Sequence, residues 1–166
     1  MTSRFRQLLT ATTALTFGLI LLGVYTGAIG AGLTCGARWP LCDGWMGLFP
    51  ANWASFVEWF HRLVAMVTGF AILGSTVAAW RGDYSSRIRY ATAVATVVLP
   101  VQILLGANTI VNFGALAQVL HHAAALAILT AMVAATAWSF DPPATAASAN
   151  TPTESGSDTD ATPSSD

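Results

Sequence analysis

The chain has 166 residues, 54% of them hydrophobic and 9% charged, with a net charge of -1 and a mean hydropathy of +0.59. A soluble domain carries roughly 25% charged residues, so this composition excludes an ordinary soluble enzyme and indicates an all-α integral membrane protein. The seven basic residues, all Arg, are too few and too scattered for a nucleic-acid surface.

Arg4 and Arg6 precede a first uncharged run, Leu8 to Ala31, whose 24 residues are enough to cross a bilayer with some tilt. The run is longer than the apolar stretch of a signal peptide and continues into the chain, so no cleaved leader is expected. A loop follows, with Cys35, Cys42 and the interfacial aromatics Trp39, Trp45 and Trp53. The second span is expected over 55–80. From Tyr90 to Phe140 no residue carries a formal charge. That stretch is too long for one helix, and Asn112-Phe113-Gly114 divides it into spans at 90–111 and 116–138. Residues 141–166, rich in Ser, Thr, Ala, Pro and Asp, read as a disordered acidic tail.

The expected architecture is a four-transmembrane-helix bundle over residues 1–140, multi-pass in the cell membrane. Arg4 and Arg6 before span 1, with Arg81, Arg87 and Arg89 between spans 2 and 3, place both termini in the cytoplasm by the positive-inside rule. The 32–54 loop then faces outside. There a Cys35–Cys42 disulfide is the simplest expectation, and a redox-active thiol pair is the alternative.

All three histidines fall inside candidate spans, where an ionisable group marks function or a specific partner. Glu58 shares a helix face with His61 and Arg62. The plain reading of Glu58 and Arg62 is an intrahelical ion pair that lowers the cost of both charges. The functional one gives His61 to an iron, Arg62 to an acidic substituent such as a propionate, and Glu58 to the pocket wall. His121 and His122 are adjacent and point about 100° apart, so one faces the bundle and the other elsewhere. A membrane histidine also serves simply as an interhelical hydrogen-bonder. Two imidazoles on facing helices suit a haem. Zinc needs further ligands, and only Glu58 offers itself. Gln102, Asn108 and Asn112 add polar groups in or near span 3 that are expected to hydrogen-bond between helices, with contact to a cofactor as the alternative, and Pro100 removes the hydrogen bond to the Thr96 carbonyl. A faint repeat also links Leu22-Gly23-Val24-Tyr25-Thr26 in span 1 with Leu105-Gly106-Ala107-Asn108-Thr109 in span 3, each followed by a span with His near its start.

Taken together, Gly30-Ala31-Gly32-Leu33-Thr34-Cys35, Trp39-Pro40-x-Cys42-x-Gly44, Pro50, Glu58-x-x-His61-Arg62, Gln102-x-Leu104-Leu105-Gly106-Ala107-x-Thr109 and His121 resemble the haem A synthase family of cytochrome-oxidase assembly proteins. The resemblance covers residues 15–138. It implies oxidation of a ring methyl of haem O to a formyl group, giving haem A, with haem b as cofactor. It makes His61 and one span-4 histidine the ligands of the haem iron. His121 is preferred, with Ala125 four positions on, and His122 is the fallback. It also implies a Cys35–Cys42 disulfide and Glu58 as the carboxylate near the reacting methyl. Family members are commonly built of two four-helix halves, and this chain has one. A homodimer or larger assembly is therefore expected, with haem O synthase and terminal oxidase subunits as further partners in the lipid bilayer. A non-catalytic haem-binding protein, either an electron-transfer cytochrome or a haem carrier, is the alternative; a membrane thiol–disulfide protein is a third reading. Tyr25-Thr26-Gly27-Ala28 departs from the family, which often has a charged or polar residue there.

Overall fold

The computed structural model describes residues 3–36, 38, 41–47, 49–112 and 114–141. The expected acidic tail beyond Asp141, Trp39, Pro40 and Phe113 lie outside the described residues. Four helices carry the chain: α1 Ser3–Ala28, α2 Trp53–Arg81, α3 Ser86–Val111 and α4 Ala115–Trp138. Each is long and apolar enough to cross a membrane, and the protein is a multi-pass membrane protein.

The helix ends follow local chemistry. α1 stops where Gly30 takes a left-handed conformation, φ 68°, which glycine adopts without strain. α2 opens at Asn52, whose side chain accepts a hydrogen bond from the Ser55 amide at 3.0 Å. α1 and α3 start about a turn before their uncharged runs and take in Arg4, Arg6, Arg87 and Arg89. A charge ends a hydropathy run, but it does not end a helix that is leaving the hydrocarbon. Arg6 has partners at this level: its Nε donates to the Ser139 carbonyl at 3.2 Å, and its guanidinium lies 4.6 Å from the Phe140 ring centre.

The helices form a ring in which α1 touches α2 and α4, and α3 touches α2 and α4. Lipid offers little hydrophobic drive for helix association, so small residues and interhelical hydrogen bonds matter more than in water. Thr12 and Ser75 pair at 3.2 Å between α1 and α2. Thr13 and Thr136 pair at 2.8 Å between α1 and α4, and Thr76 and Thr96 at 2.8 Å between α2 and α3.

The apolar core is confined to one end. Phe5, Leu9, Ile72, Ala79, Ile88, Ala95, Met132 and Ala135 are buried together near the 82–85 turn. The opposite end carries the 29–52 loop and the α3–α4 turn. Its interior is built from different chemistry.

Candidate functional site

At the loop end, α2 presents Glu58, His61 and Arg62 on successive turns. Glu58 is 5% exposed, and Arg62 Nε donates to its Oε1 at 2.8 Å. The intrahelical ion pair thus forms, but it is only part of what Arg62 does. Arg62 Nη1 also donates to the Leu41 carbonyl at 2.7 Å and the Arg38 carbonyl at 3.3 Å. One guanidinium ties the loop to the carboxylate, using the fork that distinguishes Arg from Lys.

The loop is itself stapled. Cys35 and Cys42 form a disulfide with their Cα atoms 4.4 Å apart, and both are buried. The sulfurs rest on the Ser55 carbonyl at 3.8 and 3.7 Å. Ser55 Oγ donates to Asp43 Oδ2 at 2.9 Å, while Asp43 Oδ1 lies 3.1 Å from Cys42 Sγ. A disulfide sulfur has no proton to give, so these sulfur approaches are contacts. Within the loop Gly44 has φ 91°, and a side chain there would collide with the Phe49 carbonyl. Cys35, Cys42 and Asp43 are the one group of three metal-type donors found among the described residues. With the sulfurs bonded to each other, they offer no thiolate to a metal.

The two helices that carry His61 and His121 bring these imidazoles within electrostatic reach of each other. His61 packs on α1 at Gly23, and His121 packs on α3 at Gly106. Gln102 Nε2 lies 3.3 Å from His121 Nε2. His122 turns away: its ring stands at 83° to that of His121, and its Nδ1 lies 2.7 Å from the Gln118 carbonyl one turn back. Asn112 Nδ2 donates to Asn108 Oδ1 at 2.7 Å on the exposed side of α3, away from the imidazoles.

Four buried side-chain atoms at this end have no hydrogen-bond partner: His61 Nδ1, Arg62 Nη2, Gln102 Oε1 and His121 Nδ1. Buried polar atoms are normally satisfied, and each orphan costs about 1–3 kcal/mol. Here they cluster where the apolar core stops. Two imidazoles, a guanidinium nitrogen and an amide oxygen fit a planar metal complex with acidic substituents. They do not make a tetrahedral zinc site.

The loop contacts of Arg62 are additions to the sequence reading; Gln102 makes the interhelical approach expected of it, with His121 as the partner the sequence did not name. The i,i+4 spacing pointed to the Glu58–Arg62 pair. No local signal pointed to the Leu41 carbonyl.

No family model matches the chain. It is 35% identical over 141 residues to a protoheme IX farnesyltransferase of Halobacterium salinarum, covering 84% of this chain and 30% of that protein. It is 34% identical over 111 residues to the haem A synthase of Bacillus licheniformis, covering 66% and 35% respectively. With the haem A synthase of Alkalihalophilus pseudofirmus the identity is 34% over 128 residues, covering 74% and 42%. The chain spans well under half the length of each of these curated relatives. The chain is thus similar to haem A synthases over 66–74% of its own length, and to a protoheme IX farnesyltransferase over 84% of it.

Proposed function

We propose that the chain binds haem between His61 and His121 and takes part in oxidising a ring methyl of haem O to the formyl group of haem A. The observation that carries this reading is the set of buried atoms without a hydrogen-bond partner among the described residues, on both imidazoles, Arg62 and Gln102. In it, Arg62 Nη2 is free to meet a propionate while Nε and Nη1 stay engaged. The haem iron supplies the redox chemistry, and the protein supplies binding, orientation and exclusion of water. Each hydroxylation of the methyl carbon is a two-electron oxidation. In each, either water supplies the oxygen atom and a two-electron acceptor such as a quinone takes the electrons and protons, or dioxygen supplies it and its other atom leaves as water with two electrons from a donor; a second hydroxylation followed by loss of water leaves the formyl group.

Glu58 Oε1 is held by Arg62. In this reading its Oε2 stabilises positive charge developing on the methyl carbon or accepts the departing proton. The loop closes this end against water, with the cytoplasmic termini at the other. The buried disulfide is a staple, since thiol exchange needs access to a sulfur. The two described carboxylates at this end are engaged, Glu58 with Arg62 and Asp43 with Ser55, which favours the haem reading over a metal–diphosphate one.

A second reading, a haem carrier or electron-transfer cytochrome, rests on the same two imidazoles, since a non-catalytic haem site needs them equally. Co-expression with a haem O producer, followed by identification of the extracted haems, separates the two. Haem A that depends on this chain and disappears in Glu58→Gln, with haem content retained, supports the synthase. Bound haem O that is never converted supports the carrier. His61→Ala and His121→Ala each abolish a bis-imidazole spectrum, and His122→Ala leaves it intact. A spectrum surviving His61→Ala overturns the ligand assignment.

A further inference from the structure

The repeated Leu-Gly-x-x-Thr has a structural counterpart in both halves of the bundle. A Cβ built on Gly23 lies 3.1 Å from His61 Cε1, and one built on Gly106 lies 3.0 Å from His121 Cε1. Carbon atoms in comfortable contact sit about 3.5–4.0 Å apart. Each imidazole therefore rests edge-on against helix backbone that only glycine leaves bare. The arrangement repeats: an odd-numbered helix supplies the glycine, and the next helix supplies the ring. Gly18 and Gly27 of α1, and Gly74 of the neighbouring α2, have no atom within 4 Å of a built Cβ.

The threonine that follows each glycine adds to the match. Thr26 Oγ1 donates to the Leu22 carbonyl at 2.7 Å, and Thr109 Oγ1 donates to the Gly106 carbonyl at 2.7 Å. Such back-bonding from a hydroxyl to the preceding turn tends to bend a helix. In both helices it falls within the turn that carries the seat.

We propose that Gly23 and Gly106 are positioning residues, one seat per helix hairpin, that set the depth of the His61 and His121 rings and so the width of the slot between them. The seats are not identical beyond the glycine. Four residues before Gly106 stands Gln102, which reaches His121, whereas four before Gly23 stands Leu19. Two rings held at matched depth by the same device thus differ in what touches them. The steric part of the proposal stands without a bound group; its consequence for a haem rests on the reading above.

The test is a pair of double-mutant cycles read by thermal unfolding of the purified, ligand-free protein in detergent. Gly18→Ala and Gly74→Ala are expected to hold or raise the midpoint, because alanine is the better helix former. Gly23→Ala and Gly106→Ala are expected to lower it by roughly 2–10 °C, as overpacking does. The loss should vanish when the ring is removed, in Gly23→Ala/His61→Ala and Gly106→Ala/His121→Ala. If a single glycine variant fails to fold, recovery of folded protein in its double variant is the same positive result. A loss that persists undiminished without the ring, or a Gly23→Ala midpoint equal to that of Gly18→Ala, overturns the seat. In haem-loaded protein, Gly23→Ala should shift the Soret maximum and the low-spin resonance signature, and Gly18→Ala should not. A wild-type chain that takes up no haem refutes the functional reading and leaves the melting cycles to decide the seats.

Discussion

At the scale of single residues, Arg62 does the most with its fork. It neutralises Glu58 and holds the carbonyl of Leu41, all at the buried end of α2. Removing one member of a buried pair strands the other charge, so Arg62→Ala should cost about 3 kcal/mol of stability in a denaturant titration. The double variant Glu58→Gln/Arg62→Ala should regain much of that loss, because no uncompensated carboxylate remains. Equal stabilities for the single and double variants would show that the pair is solvated. The pair itself was legible in the sequence, since four-residue spacing places both groups on one helix face. The Leu41 carbonyl was not, because a backbone acceptor carries no side-chain signature and its place depends on how the loop closes. Nor was the contact of Gln102 with His121, which requires the relative rotation of α3 and α4. The Leu-Gly-x-x-Thr repeat was visible as a pattern, but its meaning lies in an approach between helices.

At the scale of elements, the bundle is joined by hydroxyl pairs more than by large interdigitating side chains. Thr76 on α2 is the most connected of these. It donates to the Thr92 carbonyl at 2.9 Å and pairs with Thr96 at 2.8 Å, next to the turn that Pro100 deprives of one amide donor. Hydrogen bonds between membrane helices contribute about 0.6 kcal/mol on average. A Thr76→Val, Thr96→Val double-mutant cycle should therefore give a coupling of roughly 0.5–1.5 kcal/mol, and a coupling of zero would mean that the two hydroxyls act separately. The span positions were readable to within about a turn from uncharged runs alone. The helical extensions through Arg4, Arg6, Arg87 and Arg89 were not; the partners of Arg6 and Arg89 lie elsewhere in the fold, the Ser139 carbonyl and Phe140 just past α4 and the Trp80 ring on α2.

At the scale of the whole molecule, the protein has a packed end and a chemical end, and the stapled loop covers the latter. By the chain-entropy model, closing so short a loop contributes roughly 2–3 kcal/mol. Cys35→Ser/Cys42→Ser should lower the unfolding midpoint by a matching amount while leaving the helices in place by circular dichroism. An unchanged midpoint would mean that the Ser55 and Arg62 contacts hold the loop without it. Sequence composition foretold the four spans, but not that the apolar core fills only one end, because that follows from which face each helix turns inward. The ring has a further consequence. It is closed by its first and last helices, through Thr13 with Thr136 and Arg6 with Ser139. His121 also arrives on that last helix. After α2 has emerged from the ribosome, residues 82–138 must still be synthesised, which takes about 3–11 s at 5–20 residues per second. Throughout that interval α1 and α2 wait in the bilayer with His61 facing an absent partner. Any planar ligand held by both rings can therefore be bound only once α4 has been made.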